Sequence, residues 1–120
     1  SNPLSLKSAI KNFDKINSKK SNKYVLIGDM LELGSHSKKL HQSIAPIINQ
    51  TKIDKVFVKG KMASIIFAGI SKAKKGRILL NKSQIIELIR KDLNNNDYLM
   101  IKASLATGFN DIVKDLKGLH

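Results

Sequence analysis

The chain has no cysteine and no tryptophan, only two prolines, and aromatic residues make up just 5% of it. Without cysteine there is no disulfide framework, no thiol nucleophile and no thiolate metal ligand, which fits a reducing cytosol. So few aromatic rings leave no platform on which successive nucleic-acid bases would stack. No apolar run approaches the roughly 20 residues of a membrane span. The opening residues also lack the charged-then-apolar layout of a signal peptide. Acidic residues are scarce as well, 9 against 22 basic, for a net charge of +13. All the basic residues except Arg77 and Arg90 are lysines, and they are spread along the chain. Recognition of bases and phosphates favours guanidinium forks, so neither nucleic acid nor membrane is expected as a partner. The positive field would still attract small anions such as nucleotides and carboxylates.

At 120 residues the chain makes one domain, 1–120, large enough for a core of its own. Ser1-Asn2 has the look of a tag remnant. Pro3 suits the start of a helix, with Ser5 a candidate N-cap. Leu6, Ala9, Ile10, Phe13 and Ile16 then fall at helical spacing. A polar turn, Asn17 to Asn22, leads to a strand over Lys23 to Gly28. Ser35 or Ser37 would cap the next helix, in which Pro46 should kink the pattern or shift its start. A second strand covers Lys55 to Val58, and a helix with Met62, Ile65, Ile66 and Ile70 follows Gly60. Lys72 to Arg77 suggests a basic loop and Ile78 to Leu80 a short strand. Asn81 or Ser83 caps a helix carrying Ile85, Ile86, Ile89 and Leu93. Tyr98 to Ile101 is the last clear strand, and Thr107-Gly108 opens a final helix.

Strands thus alternate with helices, and each strand is a continuous apolar run. This pattern predicts a Rossmann-like α/β fold, a mostly parallel sheet with helices on both faces. The opening helix has no strand before it, which suggests a piece cut from a longer protein near a domain boundary. Parallel strands send their carboxyl ends to one rim, where ligands of open α/β sheets bind. Four segments should meet there: Gly28-Asp29, Lys59-Gly60-Lys61, Asn81-Lys82 and Lys102-Ala103-Ser104. Asp29 would contact a ligand or cap its own loop. Glu32 suits a loop-ordering acceptor, and Gly28 and Gly34 suit tight turns. Lys102 with Ser104 two residues on can hold a carboxylate by charge and hydrogen bond; the alternative is a snorkelling lysine and a turn serine. His41 borders an apolar helix face and suits a half-buried structural role. The three histidines are too scattered for a metal site. Gly60-Lys61 lacks the upstream glycine of a phosphate-binding loop, and no Gly-x-Ser-x-Gly elbow is present. The chain therefore holds no self-sufficient set of catalytic groups.

The run Gly28-Asp29-Met30-Leu31-Glu32-Leu33-Gly34 resembles, letter for letter, a motif of the bacterial Mur ligase family, in its dipeptide-adding branch. Weaker likenesses keep the family's order: Asn2-Pro3-Leu4-Ser5-Leu6-Lys7, Ser37 with His41, Asp54 to Gly60, and Asp97 to Lys102. The resemblance implies the C-terminal domain of a three-domain cytoplasmic enzyme of peptidoglycan synthesis. Such an enzyme uses ATP with Mg²⁺ to activate the carboxylate of UDP-N-acetylmuramoyl-tripeptide as an acyl phosphate. The amine of D-alanyl-D-alanine then attacks. It further implies that the UDP-substrate and ATPase domains are missing here, so the fragment should be inactive alone, without catalytic or metal-binding residues. Asp29, Lys102 and Ser104 would face the dipeptide, Asn2 would stand at the hinge near the nucleotide, and Gly28, Glu32, Gly34 and His41 would shape the loop. Three positions depart from the family pattern: Ala103 replaces a glycine, Leu105 a polar or basic residue, and Ser35 an acid. Two other readings compete, a Mur-type ligase with another amino-acid acceptor and a basic, non-enzymatic binding module.

Overall fold

The computed structural model describes residues 2–30 and 36–103. Glu32, Gly34, Ser35, Ser104, Leu105 and the helix expected from Thr107 lie outside the described residues.

Helix α1 spans Pro3–Asp14. Its cap is Asn2 rather than the expected Ser5, which sits at the third helical position and completes a capping box. The Ser5 N–H donates to Asn2 Oδ1 at 3.0 Å, and the Asn2 N–H donates to Ser5 Oγ at 3.1 Å. Pro3, with φ already helical and no N–H to satisfy, starts the helix three residues earlier than a Ser5 cap would. Strand β1, Lys23–Gly28, follows. Helices α2, Ser37–Gln42, and α3, Ile44–Asn49, form the next crossover. The break lies where Pro46 requires it: a continuous helix would need the missing Pro46 N–H to reach the carbonyl of Gln42, the last residue of α2. Ser37 is the first residue of α2 rather than its cap. His36 holds the cap position and makes no side-chain cap bond. Strand β2, Lys55–Lys59, and helix α4, Lys61–Ala68, come next.

The third strand departs from expectation. A 3₁₀ turn, Lys72–Lys74, leads into β3 at Lys75–Ile78, so the basic stretch forms the strand and the apolar Ile78 to Leu80 run mostly follows it. β3 lies at the edge of the sheet, where burial does not dictate sequence and charged residues guard the open side. Its cations rest on rings: Lys75 Nζ lies 5.2 Å from the Phe67 centroid and the Arg77 guanidinium 5.4 Å from that of Phe57. Leu80 is left 74% exposed. Asn81 caps α5, Lys82–Glu87, by accepting from Gln84 N. A π turn, Leu88–Asp92, ends that helix before β4, Tyr98–Lys102.

The four strands run in the order β3-β2-β1-β4, and every pairing is parallel. α1 to α4 cover one face through Leu6, Ile10, Phe13, Ile44, Ile48, Ala63 and Ile66 on Val25, Ile27, Val56 and Val58. α5 and the π turn cover the other, through Ile85 and Leu88 on Leu26, Phe57 and Leu79. Tyr24 meets Phe57 edge to face at 6.0 Å on this second side. Partial burial pushes its phenol above the ordinary value, and the Asp97 charge adds to the effect. Leu26 lies fully buried at the middle of the central strand. Leu26→Ala should cost about 2–5 kcal/mol, read from the urea unfolding midpoint at unchanged slope.

Candidate functional site

From β1 the chain steps outward to β2 and β3, then returns to the far side of β1 as β4. The first two crossovers lie on one face of the sheet and the last on the other. The reversal falls between β1 and β4, and a crevice outside the carboxyl ends of two such strands is where open α/β sheets take ligands. The residues leaving those ends are Gly28-Asp29-Met30 from β1 and Lys102-Ala103 from β4. Register pairs Ile27 with Lys102 and Gly28 with Lys59. The sheet therefore brings Asp29 and Lys102 to the same rim, as the sequence reading expected; Ser104 is outside the described residues.

Strand alternation also assigns each lysine a side. Met100 packs with the first-face core, whereas Ile101 and Ala103 pack with the second. Lys102 is thus on the first-face side, above the register position of Ile27. Lys59 pairs with Gly28 and shares the second side with Phe57. The two ammonium groups straddle the end of β1. Both residues are half-buried, so each apolar stem has packing while the head stays solvated.

The base of the acidic loop is held at three successive residues. Gly28 belongs to the strand ladder. Asp29 Oδ1 accepts from the Ala63 N–H of α4 at 2.9 Å. Met30 is buried in the first-face core. Opposite Asp29, Gly60 has φ +117°, and a Cβ there would lie 2.4 Å from the Asp29 carboxyl carbon.

His41 is fully buried rather than half-buried. Its Nδ1 lies 2.7 Å from the Ser37 carbonyl oxygen, which only accepts, so Nδ1 carries the ring proton. Nε2 has no partner. α2 packs on both α1 and α4, which explains the burial that spacing alone did not show. Asn2 spends its side chain on the α1 cap. Among the described residues no group of three His, Asp or Glu side chains is placed to hold a metal ion.

A cavity of about 530 Å³ lies elsewhere, lined by Asp14, Lys15, Lys19, Lys23, Lys52 and Asp54 among others. Those residues sit before or at the amino ends of β1 and β2, the pole opposite the rim. Topology favours the rim, and the rim is where the reversal of strand order leaves room between two crossovers.

A parallel sheet whose strand order reverses between β1 and β4 defines a Rossmann-like domain. The Mur ligase, glutamate ligase domain family matches residues 1–105, and the chain belongs to that family. It is 32% identical over 117 residues to the UDP-N-acetylmuramoyl-tripeptide–D-alanyl-D-alanine ligase of Bacillus subtilis, covering 95% of this chain and 25% of that protein. The enzyme of the same name from Buchnera aphidicola is 31% identical over 97% of this chain and 25% of its own length. Among solved structures, the MurF ligase of Thermotoga maritima in complex with ADP superposes with a TM-score of 0.76 at 22% identity, over 95% of this chain and 25% of that one. MurF of Acinetobacter baumannii gives 0.73 at 22% identity, over 97% and 25%. The chain thus spans about a quarter of the length of the relatives it matches.

Gly60→Ala tests the packing at the rim. It forces an L residue into a backbone region open essentially to glycine and drives a methyl group into the Asp29 carboxylate. The expected loss is about 1–3 kcal/mol, measured by chemical denaturation.

Proposed function

We propose that this chain is the C-terminal domain of an ATP-dependent ligase that joins D-alanyl-D-alanine to UDP-N-acetylmuramoyl-tripeptide in the bacterial cytoplasm. The observation that supports this reading most is Lys102 at the β1–β4 reversal, beside the end of β1 at Gly28, in a chain that belongs to the Mur ligases. The domain's task is to receive the incoming dipeptide. The Lys102 ammonium meets the dipeptide carboxylate, with the Ser104 hydroxyl, two residues on, as a second donor. Held by its carboxylate, the dipeptide presents its amine in a fixed direction, and the gain is one of orientation rather than bond-making. Closure of the domain over the nucleotide then excludes water from the reaction.

The described residues do not suit ATP or Mg²⁺: they offer no metal-ligating cluster, and the sequence has no phosphate-binding loop. Both are assigned to the rest of a longer chain, together with the binding of the UDP-linked substrate. When bound there, they supply the activation of the tripeptide carboxylate.

Two measurements test this reading. The 120-residue chain alone should form no amide. In the full-length enzyme, Lys102→Ala should raise KM for D-alanyl-D-alanine about ten- to a hundredfold, as expected for a lost hydrogen bond to a charged group, with a smaller effect on kcat. An unchanged dipeptide KM would remove Lys102 from the site. Tight, salt-dependent binding to generic DNA at physiological ionic strength would favour a basic binding module instead.

A further inference from the structure

We propose that Asp29 is a positioning residue, whose carboxylate caps helix α4 from a neighbouring strand and so locks the start of the Gly28–Gly34 run to the rim. This rests on the reading of the rim as the dipeptide site. A helix leaves its first N–H groups without internal partners, and the residue just before it normally supplies an oxygen to one of them. At α4 that residue is Gly60, which has no side chain to offer. The bond comes instead from Asp29, 34 residues away in sequence, to the third helical N–H, that of Ala63. Gly60 and Asp29 are complementary: a cap side chain grown from Gly60 would begin inside the space the carboxylate occupies. The carboxylate also sits at the positive end of the α4 dipole, which favours its charge there.

Asp29 is therefore committed at one oxygen before any ligand arrives. Its bond ties the loop leaving β1 to the helix leaving β2, the two elements on one side of the crevice. With Gly28 in the ladder and Met30 in the core, the run departs from a fixed base. The ammonium groups of Lys59 and Lys102 remain to meet an anion.

Asparagine separates capping from charge. Its side-chain oxygen accepts from Ala63 N as well as a carboxylate does, but it carries no charge to offer a substrate ammonium. In the full-length enzyme, Asp29→Asn should lose distinctly less kcat/KM than Asp29→Ala. Asp29→Ala should lower kcat/KM about tenfold or more. Amide exchange at Ala63, followed in the same proteins, should accelerate about tenfold in Asp29→Ala and stay near the parent rate in Asp29→Asn. An Asp29→Ala chain that fails to fold beside an Asp29→Asn chain that folds and turns over supports the clasp equally. Asp29→Asn as impaired as Asp29→Ala, with Ala63 still protected, would overturn it in favour of a charge contact with substrate. Unaltered Ala63 exchange in Asp29→Ala would overturn the cap itself. A parent enzyme with no activity toward D-alanyl-D-alanine would count against the proposed function, while the exchange measurement would still decide the clasp.

Discussion

The rest of the structure depends on the position of β1, which pairs in parallel and in register with β2 on one side and β4 on the other. A strand with parallel neighbours on both sides has no hairpin available to it, so each connection must cross a face of the sheet. That requirement sets the helices in two layers and explains why Val25, Leu26 and Ile27 are all fully buried. It also directs every strand end toward the same pole. The common rim of strand ends is thus a consequence of pairing, before any particular side chain is considered.

Among the described residues, four carboxylates serve the backbone, Asp29 and three others. Asp14 accepts from Lys52 N, Asp54 from Lys23 N, and Asp97 from both Asn22 N and Asn94 N. These bonds join the three loops at the amino pole, just as Asp29 joins two elements at the carboxyl pole. Some lysines do matching work with carbonyls. The buried Lys23 ammonium donates to Asp14 O at the end of α1, where the helix dipole favours a cation, and Lys74 donates to Thr51 O and Ile53 O. The excess of positive charge is therefore not a sign of one binding surface. Those four acids sit where a backbone N–H needs an acceptor, while Asp92 and Glu87 pair with Arg77 and Lys91 at the surface.

How much of this was legible in the sequence follows from what each element buries. β1, β2 and β4 matched their apolar runs to within a residue, because a strand covered on both faces must be apolar throughout. β3 was misplaced because an edge strand is selected by its partner's backbone, and Lys75 and Arg77 satisfy that pairing with their side chains over rings. The α5 face was expected to carry Ile85, Ile86, Ile89 and Leu93, yet Ile85 and Leu88 are the fully buried pair. The π turn explains the slip: its wide Leu93 N to Leu88 O bond at 3.2 Å breaks the 3.6-residue period. Alternation of strands and helices predicted the rim, but not the β3-β2-β1-β4 order that places Asp29 beside Lys102. Nor does any local pattern announce a cap supplied from another strand; the lone Gly60 before a helix was the available hint.

The pleat completes the argument about the rim. Side chains alternate faces along each strand, so adjoining strand ends in register present a lysine to each side of Gly28: Lys102 toward the α1–α4 layer and Lys59 toward the α5 layer. Gly28 itself adds no side chain between them. An anion resting at the end of β1 would meet two ammonium groups from opposite sides rather than one cluster. With the Asp29 carboxylate bonded to the Ala63 N–H of α4, Lys59 and Lys102 are left on either side of the end of β1, where the strand order reverses.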